Sequence, residues 1–370
     1  MNIKSLLLGS AAALVAVSGA RAADVVIADP EPVEYVRVCD AFGTGFFYIP
    51  GTETCLKLGG YIRYDIDFAE RTDPLTGDKW GWRKNARGHF TIDAREETEY
   101  GTLRGFIAFQ GNANGSPGAY AQVVPGVSDP YYVGAGGLGS TVGLDEAFIE
   151  LGGLKIGYAY DVWDNGIVGE GDSLGSVTRY NMIAYTYTSG GWHATLELLD
   201  DNSDSNGRSF APDFMPHVAG EIGATFGPVD AAFVAGYDNI TDEAAFRLIV
   251  GADLTANDRL ELAGIYATGR TVMWNQSEWA ISAGLSHTFN AQWTVQANAQ
   301  YWGGIANLAL AAPDFTNADG WRVGANVDWK PTPNFLVRVQ AYYNSRGSDL
   351  ANGIAENDFW TGRVRFQRSF

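Results

Sequence analysis

Between Leu56 and Phe68 apolar and charged residues alternate with period two. Leu56, Leu58, Ile62, Tyr64, Ile66 and Phe68 fall on one side, Lys57, Arg63, Asp65 and Asp67 on the other. Successive side chains of a strand point to opposite faces, so the run predicts a strand with one apolar and one charged surface. The pattern then returns. Ala86, Gly88, Phe90, Ile92 and Ala94 oppose Arg87, His89, Asp93 and Arg95; Leu103, Gly105, Ile107 and Phe109 oppose Arg104 and Gln110. Further on, Tyr185 and Tyr187, then Leu196 and Leu198, Leu248 and Val250, Leu260 and Leu262, Ile281 and Leu285, Val323 and Val327, and Val337 and Val339 keep the same rhythm. The last strand sets Trp360, Val364 and Phe366 against Arg363, Arg365 and Gln367, and sixteen strands are counted in all.

The connections alternate too. Gly152-Gly153, Ser189-Gly190-Gly191, Gly227-Pro228 and Asn290 to Gln292 are tight turns, whereas Gly111 to Thr141, Asp161 to Thr178 and Asp200 to Phe214 are long polar loops. One alternating strand fits a water-soluble sandwich equally well. Repetition decides against it, because the inward positions are polar or charged over most strands and a packed core does not tolerate that. Strands near ten residues with an apolar outward band, aromatic residues at its ends and loops longer at one end are the pattern of a transmembrane barrel. Only a closed barrel satisfies every strand's backbone groups in lipid. The expected fold is therefore all-β, a 16-stranded antiparallel transmembrane β-barrel.

Residues 1–22 are read as a signal peptide: Lys4, the apolar run Leu6 to Val17, and Ala20-Arg21-Ala22 as a cleavage site. The apolar run is shorter than the roughly 18 to 20 residues a spanning helix needs. The barrel then occupies 23–370, opening with an N-terminal segment over 23–54. Of 25 basic residues, cleavage removes two, leaving 23 against 43 acidic ones and a net charge of −20. That balance argues against nucleic acid, which requires clustered Lys and Arg. In an exported chain, Cys39 and Cys55 can form a disulfide closing a loop of about 17 residues, worth roughly 3 kcal/mol by loop-closure entropy. Metal binding is the weaker reading for them, since no His lies near and four ligands would be needed.

Residues 161–178 (DVWDNGIVGEGDSLGSVT) have neither helical nor strand periodicity, and structureless loops beyond about 12 to 15 residues are usually functional. The loop is expected to fold into the lumen as a constriction. Its Asp161, Asp164, Glu170 and Asp172 would face inward arginines of the wall: Arg63, Arg87, Arg104 and Arg363, with Arg365 and Arg338 as further candidates. Opposed charges across a narrow gap create a transverse field that selects among solutes.

Enzyme-like motifs fare poorly. Gly171-Asp172-Ser173-Leu174-Gly175 lacks the following helix of a nucleophile elbow. The glycines of Gly134 to Gly139 lead into a strand, not the helix of a dinucleotide site. Asn202, Asp204, Asn206, Gly207 and Asp213 have the spacing of a calcium loop, with Pro212 inside it; a solvated loop is the expectation. The histidines at 89, 193, 217 and 287 are scattered, so no metal and no cofactor is expected.

Residues 35–61 (YVRVCDAFGTGFFYIPGTETCLKLGGY) closely resemble the N-terminal signature of the alphaproteobacterial, rhizobial-type outer-membrane porins. The similarity continues more loosely through Thr98 to Gly105, Phe148 to Asp161 and the terminal Phe370. The resemblance implies a homotrimer in the bacterial outer membrane, among lipid and lipopolysaccharide, delivered by the outer-membrane assembly machinery through Phe370. It implies passive diffusion of small hydrophilic solutes and ions, and a constriction loop after the fifth strand, which is Asp161 to Thr178 here. The alternatives are a substrate-selective outer-membrane channel and a barrel adhesin.

Overall fold

The computed structural model describes residues 37–70, 79–113, 141–170, 178–200, 215–306, 315–350 and 354–370. The leader expected over 1–22, Asp172, the serine and glycine motifs and the calcium-like run lie outside the described residues.

Two residues, β1 (Phe47–Tyr48), precede β2 (Cys55–Glu70), β3 (Trp80–Thr98), β4 (Gly101–Ala113), β5 (Thr141–Leu151) and β6 (Leu154–Tyr160). The middle of the chain forms β7 (Arg179–Ser189), β8 (Trp192–Asp200), β9 (His217–Phe226), β10 (Val229–Asp238), β11 (Glu243–Asp253) and β12 (Asp258–Ala267). The last five strands are β13 (Ser277–Thr288), β14 (Trp293–Ile305), β15 (Gly320–Thr332), β16 (Phe335–Arg346) and β17 (Asn357–Ser369). From β2 onward each strand pairs antiparallel with the next, and β17 returns to β2 with Arg365 opposite Asp65 and Gln367 opposite Arg63. The sheet closes as a sixteen-stranded barrel and leaves no long unpaired edge.

The alternation has the expected sense. Ile62, Tyr185, Leu196, Leu248, Ile281 and Val339 stand exposed on the outside, whereas Asp65, Asp93, Asn326 and Gln340 are buried within. Aromatic rings mark both rims of the outer band. Trp279 stacks on Tyr301, and Tyr343 meets Trp321 and Trp360, at the long-loop end; Trp293 stacks on Trp329 at the turn end. Such girdles sit where a bilayer's headgroups meet its hydrocarbon.

The N-terminal segment finishes the wall. Backbone bonds between Phe370 and Gly60 (3.0 and 3.1 Å) end the β17–β2 pairing, and β2 runs on past them. There Cys55 and Leu56 pair with Tyr48 and Phe47 of β1, and the Cys39–Cys55 disulfide closes this small sheet. Phe46 is buried beneath it, with the cations of Lys57 and Arg95 at 5.6 and 5.2 Å from its ring centre.

On β7 to β12 the inward positions combine polar residues, Glu197, Asp238 and Arg247 among them, with an apolar patch: Tyr180, Met182, Leu199, Val234, Ala245, Ile249 and Ile265 are all buried. They are not lipid-facing, because on this arc an inserted loop covers them.

Candidate functional site

That loop starts at Asp161, whose N–H donates to the Thr178 carbonyl (3.0 Å), so its two ends are clamped together. The Val162 N–H donates to Glu197 on β8 (3.1 Å). Trp163 is fully buried against Met182, Leu199, Val234 and Met273, and its carbonyl accepts a bond from Arg247 on β11 (3.1 Å). Gly236 makes room: a Cβ there would lie 2.4 Å from the Met273 sulfur and 3.0 Å from the Trp163 Nε1. Ile167 packs on Ile249 and Ala263, and the Val168 N–H donates to Glu261 on β12 (2.6 Å). Asn298 on β14 donates to the Val168 carbonyl (3.2 Å), and the Tyr342 hydroxyl on β16 donates to the Gly169 carbonyl (2.5 Å). Gly169 has a left-handed backbone (φ +94°), and a Cβ on it would come within 2.1 Å of Asn298 Nδ2. Here only glycine lets the loop lie this close to the wall.

Ten residues thus carry the chain along the inner wall from β8 to Glu170, which reaches Arg338 on β16 (2.5 Å) and Arg365 on β17 (3.2 Å). Glu170 itself is left-handed (φ 55°). Enclosure by the wall would raise its carboxyl, but Arg365 and Arg338 outweigh this and hold it below the usual carboxylate range. Each arginine also has a carboxylate in the wall: Asp328 for Arg338 (2.6 Å) and Asp65 for Arg365 (2.8 Å). Arg363 pairs with Asp67 (2.5 Å), which also holds Arg83 (2.8 Å). Arg63 and Arg87 stand directly opposite each other across β2 and β3.

The other candidates are placed differently. Asp161 lies behind the loop, 6% exposed, instead of facing the arginines. Burial, then Glu197 and Asp164 beside it, pushes its carboxyl up to about 8, and its Oδ2 has no hydrogen-bond partner among the described residues. Asp164 is half-buried; burial raises its carboxyl, against the opposing pull of the Thr178 hydroxyl, Arg179 and Arg247. Arg104 is held by Asp93 (3.0 Å) and Glu150 (2.9 Å). It stands opposite Arg95, which stands opposite Cys55, eight residues along β2 from Arg63. At about 3.3 Å per residue this is roughly 26 Å along the strands, so Arg104 belongs to the turn end of the lumen.

Sequence reasoning missed the anchor. An isolated Trp in a polar acidic loop, Trp163, was the available signal, together with a β7 that is apolar on both faces. The loop between β12 and β13 also turns inward. Its Met273 and Trp274 are fully buried, and its Val272 N–H donates to Asp238 (2.8 Å), which buttresses Trp163 from behind.

A closed barrel of sixteen strands, apolar and aromatic-belted outside, charged within and carrying a loop against its inner wall, is an outer-membrane channel. The chain belongs to the porin family: the family described as "Porin subfamily" matches residues 24–363. It is 36% identical over 390 residues to Porin Omp2a of Brucella melitensis, with all of both chains covered. It is 38% identical over 381 residues to the putative outer membrane protein y4fJ of Sinorhizobium fredii, covering 100% of this chain and 99% of the relative. Among solved structures, the outer membrane channel DcaP of Acinetobacter baumannii shares the fold with a TM-score of 0.61 at 11% identity, covering 87% of this chain and 99% of that one. An anion-selective porin from Comamonas acidovorans gives 0.56 at 14% identity, covering 86% and 100%.

Proposed function

We propose that this porin is a passive, water-filled pore for small hydrophilic solutes and ions, and that the segment 161–178 is its constriction. The observation that carries the reading is the span of the loop from β8 to Glu170, which closes on Arg338 and Arg365 and sets a carboxylate beside the lumen arginines of β16 and β17. Glu170, closed on Arg338 and Arg365, on one side and Arg363, Arg63 and Arg87 on the other supply the transverse field. Replacing Arg63 and Arg87 together with Ala should raise the single-channel conductance in a planar bilayer, and an unchanged conductance would count against their place in the constriction.

The mature chain is expected to begin after the leader at 1–22, to reach its membrane through recognition of the terminal Phe370, and to work without catalysis. A homotrimer is supported by the small outward residues of β2 to β4. At Gly88 and Gly105 an added Cβ would meet nothing, so another barrel can approach closely.

A further inference from the structure

We propose that Arg63 and Arg87 form an anion-binding rung in the lumen that takes a phosphate-type oxyanion, inorganic phosphate or the phosphate group of a small ester. The inference rests on the channel reading above and names one solute class for it.

Their bonding sets the two arginines apart from those around them. Arg83, Arg338, Arg363 and Arg365 each have a carboxylate within 2.8 Å. Arg63 instead donates from Nε to the neutral Gln367 Oε1 (2.8 Å) and lies over the Tyr61 ring, its carbon 4.6 Å from the centroid. Arg87 donates from Nε to the neutral Asn112 Oδ1 (2.8 Å). Each guanidinium is therefore oriented by its inner nitrogen, while its outer Nη edge bonds no protein group among the described residues.

Position reinforces this. Residues directly opposite in an antiparallel pair have Cβ atoms about 4.5 to 5.5 Å apart, and like charges placed so destabilise the sheet. Arg63 and Arg87 hold such a register, both half-buried on the lumen face. An anion between them removes the repulsion. Guanidinium forks match oxyanions bidentately, which chloride cannot reproduce. A tetrahedral dianion can present oxygens to both forks at once, whereas a planar carboxylate fills one. Gln367 and Asn112 fix both forks by uncharged bonds, and neither guanidinium has a carboxylate hydrogen-bond partner among the described residues.

The test uses the purified full chain in planar bilayers in about 0.1 M KCl at neutral pH, where screening leaves short-range charges effective. Stepwise openings in KCl alone establish the pore and show that each variant is folded. Potassium phosphate is then titrated against potassium acetate at matched ionic strength. The expected result is a saturable fall in chloride current with phosphate and a much weaker effect of acetate. The pair Arg63→Gln with Arg87→Gln should raise the half-blocking phosphate concentration about tenfold or more. The pair Arg63→Lys with Arg87→Lys, which keeps the charge and loses the forks, should also raise it several-fold. Equal effects of phosphate and acetate on the wild-type channel, or an unshifted half-point in the Gln pair, would overturn the rung while leaving the pore reading standing. A wild-type chain that opens no channels would overturn both.

Discussion

Glu170 carries a left-handed backbone that costs a non-glycine residue on the order of 1 to 3 kcal/mol. Charge-assisted bonds contribute about 1.5 to 3 kcal/mol each, so contacts to Arg338 and Arg365 are enough to hold it there. Glu170→Gln should leave both arginines on their wall carboxylates, remove the loop's described charge from the gap and move the reversal potential in a KCl gradient toward anions. A shift toward cations would contradict the assignment. Asp161 makes a separate prediction. Its carboxyl is raised, so its neutral form belongs to the docked loop. The stability it contributes is complete below the ordinary Asp value of about 4 and is lost as pH rises through about 8. Open-channel noise should therefore grow between pH 6 and 9 in the wild type and stay flat in Asp161→Asn. Parity along β2 and β4 told that Arg63 and Arg104 both face inward. It could not tell their relative height, because the stagger between strands, not the alternation within one, places Arg104 at the level of Cys55.

The loop and the N-terminal sheet are the two elements whose roles can be separated by experiment. Trp163 is the loop's apolar anchor, and truncating a fully buried Trp typically costs about 3 to 5 kcal/mol. Trp163→Ala should free the loop without opening the wall, seen as a larger and noisier conductance with unchanged β-sheet circular dichroism. The disulfide spans a sequence separation of 16 and ties the N-terminal segment to the first residue of β2, beyond the β17–β2 pairing that closes the ring. Replacing both cysteines with Ser should lower resistance to unfolding by roughly 3 kcal/mol and leave conductance intact. The strands were legible from sequence because period-two alternation is local. The path of the loop was not, since it depends on which inward apolar patches, Met182, Leu199 and Val234 among them, Trp163 and Ile167 meet after the barrel closes.

At the scale of the whole molecule, two opposing fields act. The formal net charge of −18 puts negative potential at the mouths. The gap instead gathers arginines, two of which, Arg63 and Arg87, have no carboxylate hydrogen-bond partner among the described residues. Mouth potentials are screened as the Debye length shrinks from about 30 Å at 0.01 M salt to 3 Å at 1 M, whereas partly buried charges are screened much less. A weak cation preference at low ionic strength that declines as salt rises is the expected outcome, and anion preference at low salt would mean that the arginines dominate throughout. Trimers resistant to detergent on an unheated gel are expected as well; a monomer at every protein concentration would remove the assembly proposal.

The central claim, that the loop tip stands in the path of permeating ions, is open to one direct measurement. The chain's two cysteines are bonded to each other, so Glu170→Cys introduces a single reactive thiol. Adding a bulky methanethiosulfonate reagent to that variant during single-channel recording should produce a stepwise, reductant-reversible fall in current, absent in the wild type. A labelled Cys at this position that leaves the current unchanged would contradict the account.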